Sequence, residues 1–78
     1  MAFKELDVVR ITKLFHPPGH YDGWSINKRS PRVGDVGTIV DIQNAPNLPT
    51  NYVVEASSPN GIPDWLGDFF EEELELVS

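Results

Sequence analysis

Alternating apolar and polar positions predict five short β-strands along the chain. In the first, residues 6–14, we expect Val9, Ile11 and Leu6 to face the interior. Further strands are predicted at residues 37–42, 51–56 and 64–69, and a final one at Leu74 to Leu76 after a helical turn that begins near Phe69. The pattern contains no amphipathic helix of ten or more residues.

Glycine and proline divide the chain into these pieces. Six of the 13 fall within residues 15–35, so we expect a long loop between the first and second strands. Gly34 and Gly37 stand where a tight turn and a bent strand need a positive φ or a close backbone approach. The Asn-Gly pair at residues 60–61 predicts a hairpin turn between strands three and four.

Five short strands in 78 residues predict an all-β fold built as one domain over residues 1–78. A single open sheet would leave one apolar face uncovered, because no helix is available to pack on it. We therefore expect the sheet to curl into an SH3-like barrel. A partly open oligonucleotide-binding barrel is the alternative, although it usually has longer strands and a helix between the third and fourth.

Three motifs point to a family. They are Leu-Asp-Val-Val at residues 6–9, Gly-Asp-Val-Gly-Thr-Ile-Val at 34–40 and Glu-Glu-Leu-Glu-Leu-Val at 72–77. In this combination they resemble small bacterial SH3-like barrel proteins whose function is unassigned. A more distant resemblance is to the SH3-like photosystem I stromal peripheral subunit, the ferredoxin:thioredoxin reductase variable chain and the nitrile hydratase β-subunit. The resemblance implies an SH3-like fold and, through its distant members, an accessory role in a redox or metal enzyme.

Composition excludes several kinds of chemistry. With no cysteine, the chain has no disulfide and no thiolate nucleophile or metal ligand. No apolar run reaches the length of a membrane span, and the opening residues lack the apolar core of a signal peptide, so we expect a cytoplasmic location without membrane attachment. The net charge of −6 disfavours a general affinity for nucleic acid.

The charge is divided unevenly between two parts of the chain. The first 32 residues hold all six basic residues and three acids, whereas residues 33–78 hold nine acids and no base. Aromatic and basic side chains in the loop and acids near the end are therefore candidate partner-binding residues: Tyr21, Trp24, Arg29, Arg32, Glu71, Glu72 and Glu73. The alternative interpretations are that Tyr21 and Trp24 cap the core and that the acids form a solvated face. Trp65, in a predicted strand, is expected to be buried.

Catalytic and metal-binding signals are weak. His16, His20 and Asp22 are possible ligands within seven residues, but Pro17 and Pro18 interrupt any regular spacing, so we expect no metal site and no cofactor. The serines belong to no nucleophile motif, and Gly34 to Gly37 lack the lysine and helix of a phosphate-binding loop. The chain is therefore predicted not to be an enzyme.

The sequence thus predicts a small acidic protein-interaction module, of an immunity or regulatory kind, that is a monomer or weak homodimer. Its contact surfaces would be the loop and the acidic segment near the end. An accessory subunit of a redox or metal enzyme, or a single-stranded nucleic-acid binder, is the alternative.

Overall fold

The computed structural model describes residues 3–17, 29–57 and 63–77. Among these residues, no helix has the length and apolar character needed to cross a membrane. The elements in chain order are β1 (Val8–Ile11), β2 (Val36–Gln43), β3 (Asn51–Ser57), β4 (Pro63–Phe69), a 3₁₀ turn (Glu71–Glu73) and β5 (Leu74–Leu76).

All five strands belong to one antiparallel sheet in the order β4-β3-β2-β1-β5. The first four strands follow one another across the sheet, and β5 returns to pair with β1. The all-β prediction and the sequence of strands are therefore confirmed. Strands β4 and β5 are the two edges and the sheet is open, so closure into an SH3-like barrel stays a prediction. The predicted Asn60-Gly61 turn lies outside the described residues, between strands that do pair antiparallel.

One face of the sheet holds the core. Its largest members are Trp65, Tyr52 and Phe69, with Trp65 and Phe69 in edge-to-face contact at 5.6 Å between ring centroids. Phe3 packs against Tyr52 in the same manner at 5.4 Å. The predicted burial of Trp65 is confirmed, and so is that of Val9 and Ile11, which follow the period-two pattern of β1. Among the described residues the core cluster comprises Val9, Ile11, Ile39, Tyr52, Val54, Ala56, Trp65, Phe69 and Leu74.

The expectation that Leu6 faces the interior is wrong. Its side chain is 77% exposed and its φ is +74°, so the residue lies in a left-handed turn and the strand alternation does not extend to it. The Asp7 amide donates to the Lys4 carbonyl, which closes this turn, and the Leu6 amide donates to Ile39. Strand β1 begins only at Val8, after this turn.

Two glycines meet the backbone requirements expected of them. Gly34 has a φ of +96° in a turn closed by a hydrogen bond from the Asp35 amide to the Arg32 carbonyl. A Cβ on Gly37 would lie 2.7 Å from both the Glu55 carbonyl oxygen and a Val54 methyl carbon. Gly34 therefore sets the turn into β2, and Gly37 allows β2 to approach β3 closely.

Replacing Gly34 tests the turn without changing packing, because a Cβ there would have no neighbour within 4 Å. We expect Gly34→Ala to lower the free energy of unfolding by about 1–2 kcal/mol, since an L-residue is strained at this φ. Gly34→Asn should lose less, because asparagine tolerates left-handed backbone. Urea unfolding followed by circular dichroism measures both, and equal stability of Gly34→Ala and the parent would contradict the role of this turn.

Candidate interaction surface

The segment after β1 is tied to the 3₁₀ turn by one buried carboxylate, that of Glu73. Glu73 Oε2 accepts a hydrogen bond from the Phe15 amide at 3.0 Å, and Oε1 accepts one from the Phe70 amide at 2.9 Å. The Glu73 carbonyl accepts from the amide and hydroxyl of Thr12 at 2.8 and 3.2 Å. Glu73 is 1% exposed, so these bonds operate where water does not compete for them.

Local sequence explains why a glutamate can do this. Phe70 precedes the first residue of the 3₁₀ turn, so its amide has no carbonyl partner within the turn. Glu73 is the third residue of the turn, from which a glutamate side chain reaches back to that amide as in a capping box. The second carboxylate oxygen is then left to face the incoming chain, where the Phe15 amide meets it.

This link brings two aromatic side chains together near the surface. The ring centroids of Phe15 and Phe70 are 6.4 Å apart, and Lys13 Nζ lies 5.4 Å from the centroid of Phe15. Phe15 remains 48% exposed. Glu71 and Glu72 follow Phe70 directly, with Glu72 exposed and Glu71 half-buried. We call Lys13, Phe15, Phe70, Glu71 and Glu72 the Phe15 surface.

The Phe15 surface joins the two contact regions that the sequence suggested separately, the loop and the acidic segment. Glu71 and Glu72 lie on it. The prediction that Glu73 belongs to a solvated acidic face is wrong, because its carboxylate points inward to the Phe15 and Phe70 amides. Glu73 therefore positions the backbone of Phe15 and Phe70 in the Phe15 surface. Its burial argues against direct contact with a partner.

A second polar cluster holds the chain where it enters β2. Asp35 Oδ2 accepts hydrogen bonds from Arg29 Nη1 at 2.7 Å, from the Arg32 amide at 3.0 Å and from Trp65 Nε1 at 3.0 Å. Arg29 Nη2 also lies 3.9 Å from an Asp64 oxygen. One carboxylate thus connects the end of the loop to the buried indole of β4.

These contacts set the electrostatics of Asp35. Partial burial acts to raise its pKa, but hydrogen bonds from Arg29, the Arg32 amide and Trp65, with the charge of Arg29, together outweigh burial and hold the pKa below its usual value. The same hydrogen bond to Asp35 raises the pKa of Arg29 against the opposing effect of burial. Asp35 is therefore an ionised structural carboxylate at neutral pH.

The remaining predicted site residues divide into three groups. Arg29 is held in the Asp35 cluster with 35% of its side chain exposed, whereas Arg32 is exposed and uses its backbone amide in that cluster. Tyr21 and Trp24 lie outside the described residues, as do His20 and Asp22. Within the described ranges, no three His, Asp or Glu side chains are arranged to hold a metal ion.

Sequence reasoning missed Lys13 and Phe70 as parts of a surface and Asp35 as a cluster centre. Glu73 carried a usable signal, because a glutamate at the third position of a predicted turn is typical of a capping arrangement. Because a buried indole N–H needs a hydrogen-bond acceptor, the predicted burial of Trp65 indicates that a polar group lies next to its ring nitrogen. Nothing in the local pattern identifies that acceptor as Asp35, thirty residues earlier.

Comparison with protein-family models, with curated proteins and with solved structures finds no match. The resemblance to SH3-like families stays a prediction from three motifs. Function is therefore inferred from the geometry of the chain itself.

Removing the charge of Glu73 tests the buried link. We expect Glu73→Gln to lower the free energy of unfolding by about 2 kcal/mol, because the amide nitrogen of glutamine cannot accept from a backbone amide and leaves that donor without its bond. Glu72→Gln, at the exposed neighbouring position, should change it by less than about 0.5 kcal/mol. Chemical denaturation compares the two, and similar losses in both would contradict a specific role for Glu73.

The lowered pKa of Asp35 predicts a particular pH dependence. A carboxyl group with a folded pKa below its unfolded value of about 3.9 stabilises the fold above that value and loses this contribution as pH falls through the folded pKa. The stability advantage of the parent over Asp35→Asn should thus be largest near neutral pH and shrink below about pH 4. Urea unfolding at several pH values measures it, and an advantage independent of pH would contradict ionisation of Asp35.

Proposed function

We propose that this chain is a protein-interaction module that binds its partner through the Phe15 surface. The observation that supports this most directly is the buried Glu73 carboxylate, which binds the backbone amides of both members of a partly exposed aromatic pair, Phe15 and Phe70. The partner is inferred to be a protein with a basic contact region, as in an immunity-type or regulatory interaction.

The energetic cost of burying a carboxylate supports a role beyond stability. A charge removed from water is unfavourable unless its hydrogen-bonding capacity is met, and here it is met by amides whose own side chains point toward the surface. Phe15 remains half exposed, so its ring gains only part of the available burial energy in the free protein. A rigid, partly exposed aromatic loses little conformational entropy on binding, which favours it as an interface anchor.

Charge supports the choice of partner. Glu71 and Glu72 adjoin the aromatic pair, and the chain carries a net charge of −6. Acids around an apolar centre accelerate the association of a basic protein and oppose a polyanion. Two of the basic side chains are already engaged, Arg10 with Glu75 at 2.7 Å and Arg29 with Asp35. The described residues add no observation that favours nucleic-acid binding or an enzyme accessory role.

The test uses the full chain as bait in a native lysate, followed by titration calorimetry with the captured partner. We expect Phe15→Ala to weaken binding by roughly 30-fold, which corresponds to about 2 kcal/mol for an aromatic anchor. Leu48→Ala is the matched control, because Leu48 is also exposed, at 67%, but lies in the loop between β2 and β3. It should bind as the parent does.

Three outcomes would contradict the proposal. Unchanged affinity of Phe15→Ala would remove the Phe15 surface from the interface. An equal loss in Leu48→Ala would indicate a nonspecific apolar effect. Capture that disappears after nuclease treatment, with no directly bound protein, would replace a protein partner with a nucleic acid.

A further inference from the structure

The face of the sheet opposite the core carries exposed side chains on β2 and β4, whereas on β3 Val53 is buried and Glu55 half-buried. On β3 the side chains of Tyr52, Val54 and Ala56 lie in the core, so Val53 and Glu55 between them point to the other side. On β2, Val36 and Val40 are 44% and 42% exposed. We call Val36, Val40, Asp41, Val53, Glu55 and Asp68 the outer sheet face.

Strand register arranges this face around Val53. Asp41 on β2 and Asp68 on β4 are the direct cross-strand partners of Val53. With adjacent strands about 4.8 Å apart, the two carboxylates originate on either side of the valine, roughly 10 Å from each other. Glu55 stands two residues further along β3, on the same side. An apolar centre is therefore flanked by three acids.

A bulge increases the apolar exposure of this face. Between Ile39 and Asp41 the register of β2 against β3 shifts, so Val40 is the extra residue and has no partner on β3. Val53, by contrast, is only 3% exposed although it lies outside the core cluster. Val40 therefore adds accessible apolar surface next to the buried Val53.

The acids of this face form no ion pair in the part of the chain that the structure describes, and Arg10, the cross-strand partner of Val36, is already paired with Glu75 at 2.7 Å. Strands β2, β3 and β4 contain four acids and no lysine or arginine, and only Asp64 is near a cation, Arg29 at 3.9 Å. Asp41, Glu55 and Asp68 form no ion pair within the described ranges. Like charges on neighbouring strands repel within the screening distance, so this arrangement costs stability in the free protein.

We propose that the outer sheet face is a second docking surface, separate from the Phe15 surface, for a lysine- or arginine-rich surface of a partner protein. Charge complementarity selects this occupant, because three unneutralised acids attract a cationic surface and repel a second copy of the acidic chain. The aliphatic stems of the partner's lysines or arginines pack on Val40, away from Arg10, while their charged ends reach Asp41, Asp68 and Glu55. This inference does not depend on the function proposed for the Phe15 surface.

The test is a titration of the full, isotope-labelled chain with the peptide (Lys-Val)5, followed by amide chemical shifts, with (Glu-Val)5 as the charge-reversed probe. We expect (Lys-Val)5 to shift the amides of residues 40–41, 53–55 and 68 at about 20 mM salt, and less at about 150 mM because of screening. The peptide (Glu-Val)5 should shift none of them. Shifts confined to residues 12–17 and 70–73 would place the cation on the Phe15 surface and overturn this proposal alone.

Two variants of equal net charge make the test specific. Asp41→Asn with Asp68→Asn should weaken (Lys-Val)5 binding roughly fivefold, the loss expected for two exposed ion pairs. Leu48→Lys with Leu76→Lys raises the net charge by the same two units at exposed positions away from the outer sheet face and should change affinity less than about twofold. Equal loss in both, or no binding of (Lys-Val)5 by the parent, would overturn the proposal.

The stability of the first variant provides an independent check that it folds. Removing two like charges should leave its midpoint of thermal unfolding at low salt equal to or above that of the parent. A clear decrease would mean that Asp41 and Asp68 stabilise the sheet, and would overturn their assignment as docking acids.

Discussion

The position of the exposed aromatic pair depends on a single carboxylate inside the protein. Glu73 lies at the junction of the 3₁₀ turn and β5, and its side chain meets the backbone of the segment that leaves β1. Its own carbonyl continues the β1–β5 pairing by one residue through Thr12. Strand pairing, the turn and the aromatic pair are thereby coupled, because each uses a polar group of the same residue.

The opposite end of the long connection is held by a different kind of interaction. One carboxylate oxygen of Asp35 accepts hydrogen bonds from a guanidinium, a backbone amide and an indole, and the side chain is only partly buried. The indole is the member that lies deepest, at 0% exposure, so this carboxylate connects the surface to the centre of the core. The two anchors differ because the Glu73 carboxylate accepts from the backbone amides of Phe15 and Phe70, whereas Asp35 pairs with a charged side chain.

Most of the sheet could be predicted because period-two patterning and glycine placement act locally. The strands around Ile39, Val54 and Trp65 and the turn at Gly34 follow from short windows of sequence. The expectation for Leu6 was wrong because this residue is out of phase with Val9 and Ile11 and lies in a left-handed turn before β1. The expectation for Glu73 was wrong for a different reason. Its position in the turn indicates capping of the Phe70 amide, but nothing local indicates that its second carboxylate oxygen meets the Phe15 amide, 58 residues away.

The two anchors also have a consequence for how such a chain can change over time. Backbone hydrogen bonds from Gly34 to Ile11 and from Ile11 to Asp35 close the base of the connection, and Glu73 and Asp35 secure its two ends. The connection is thus held at the sheet by hydrogen bonds at residues 11–15, 29–35 and 70–73, so a substitution at Glu73 or Asp35 would change where one of its ends leaves the sheet. These two positions therefore limit how far the sequence can diverge without moving the connection.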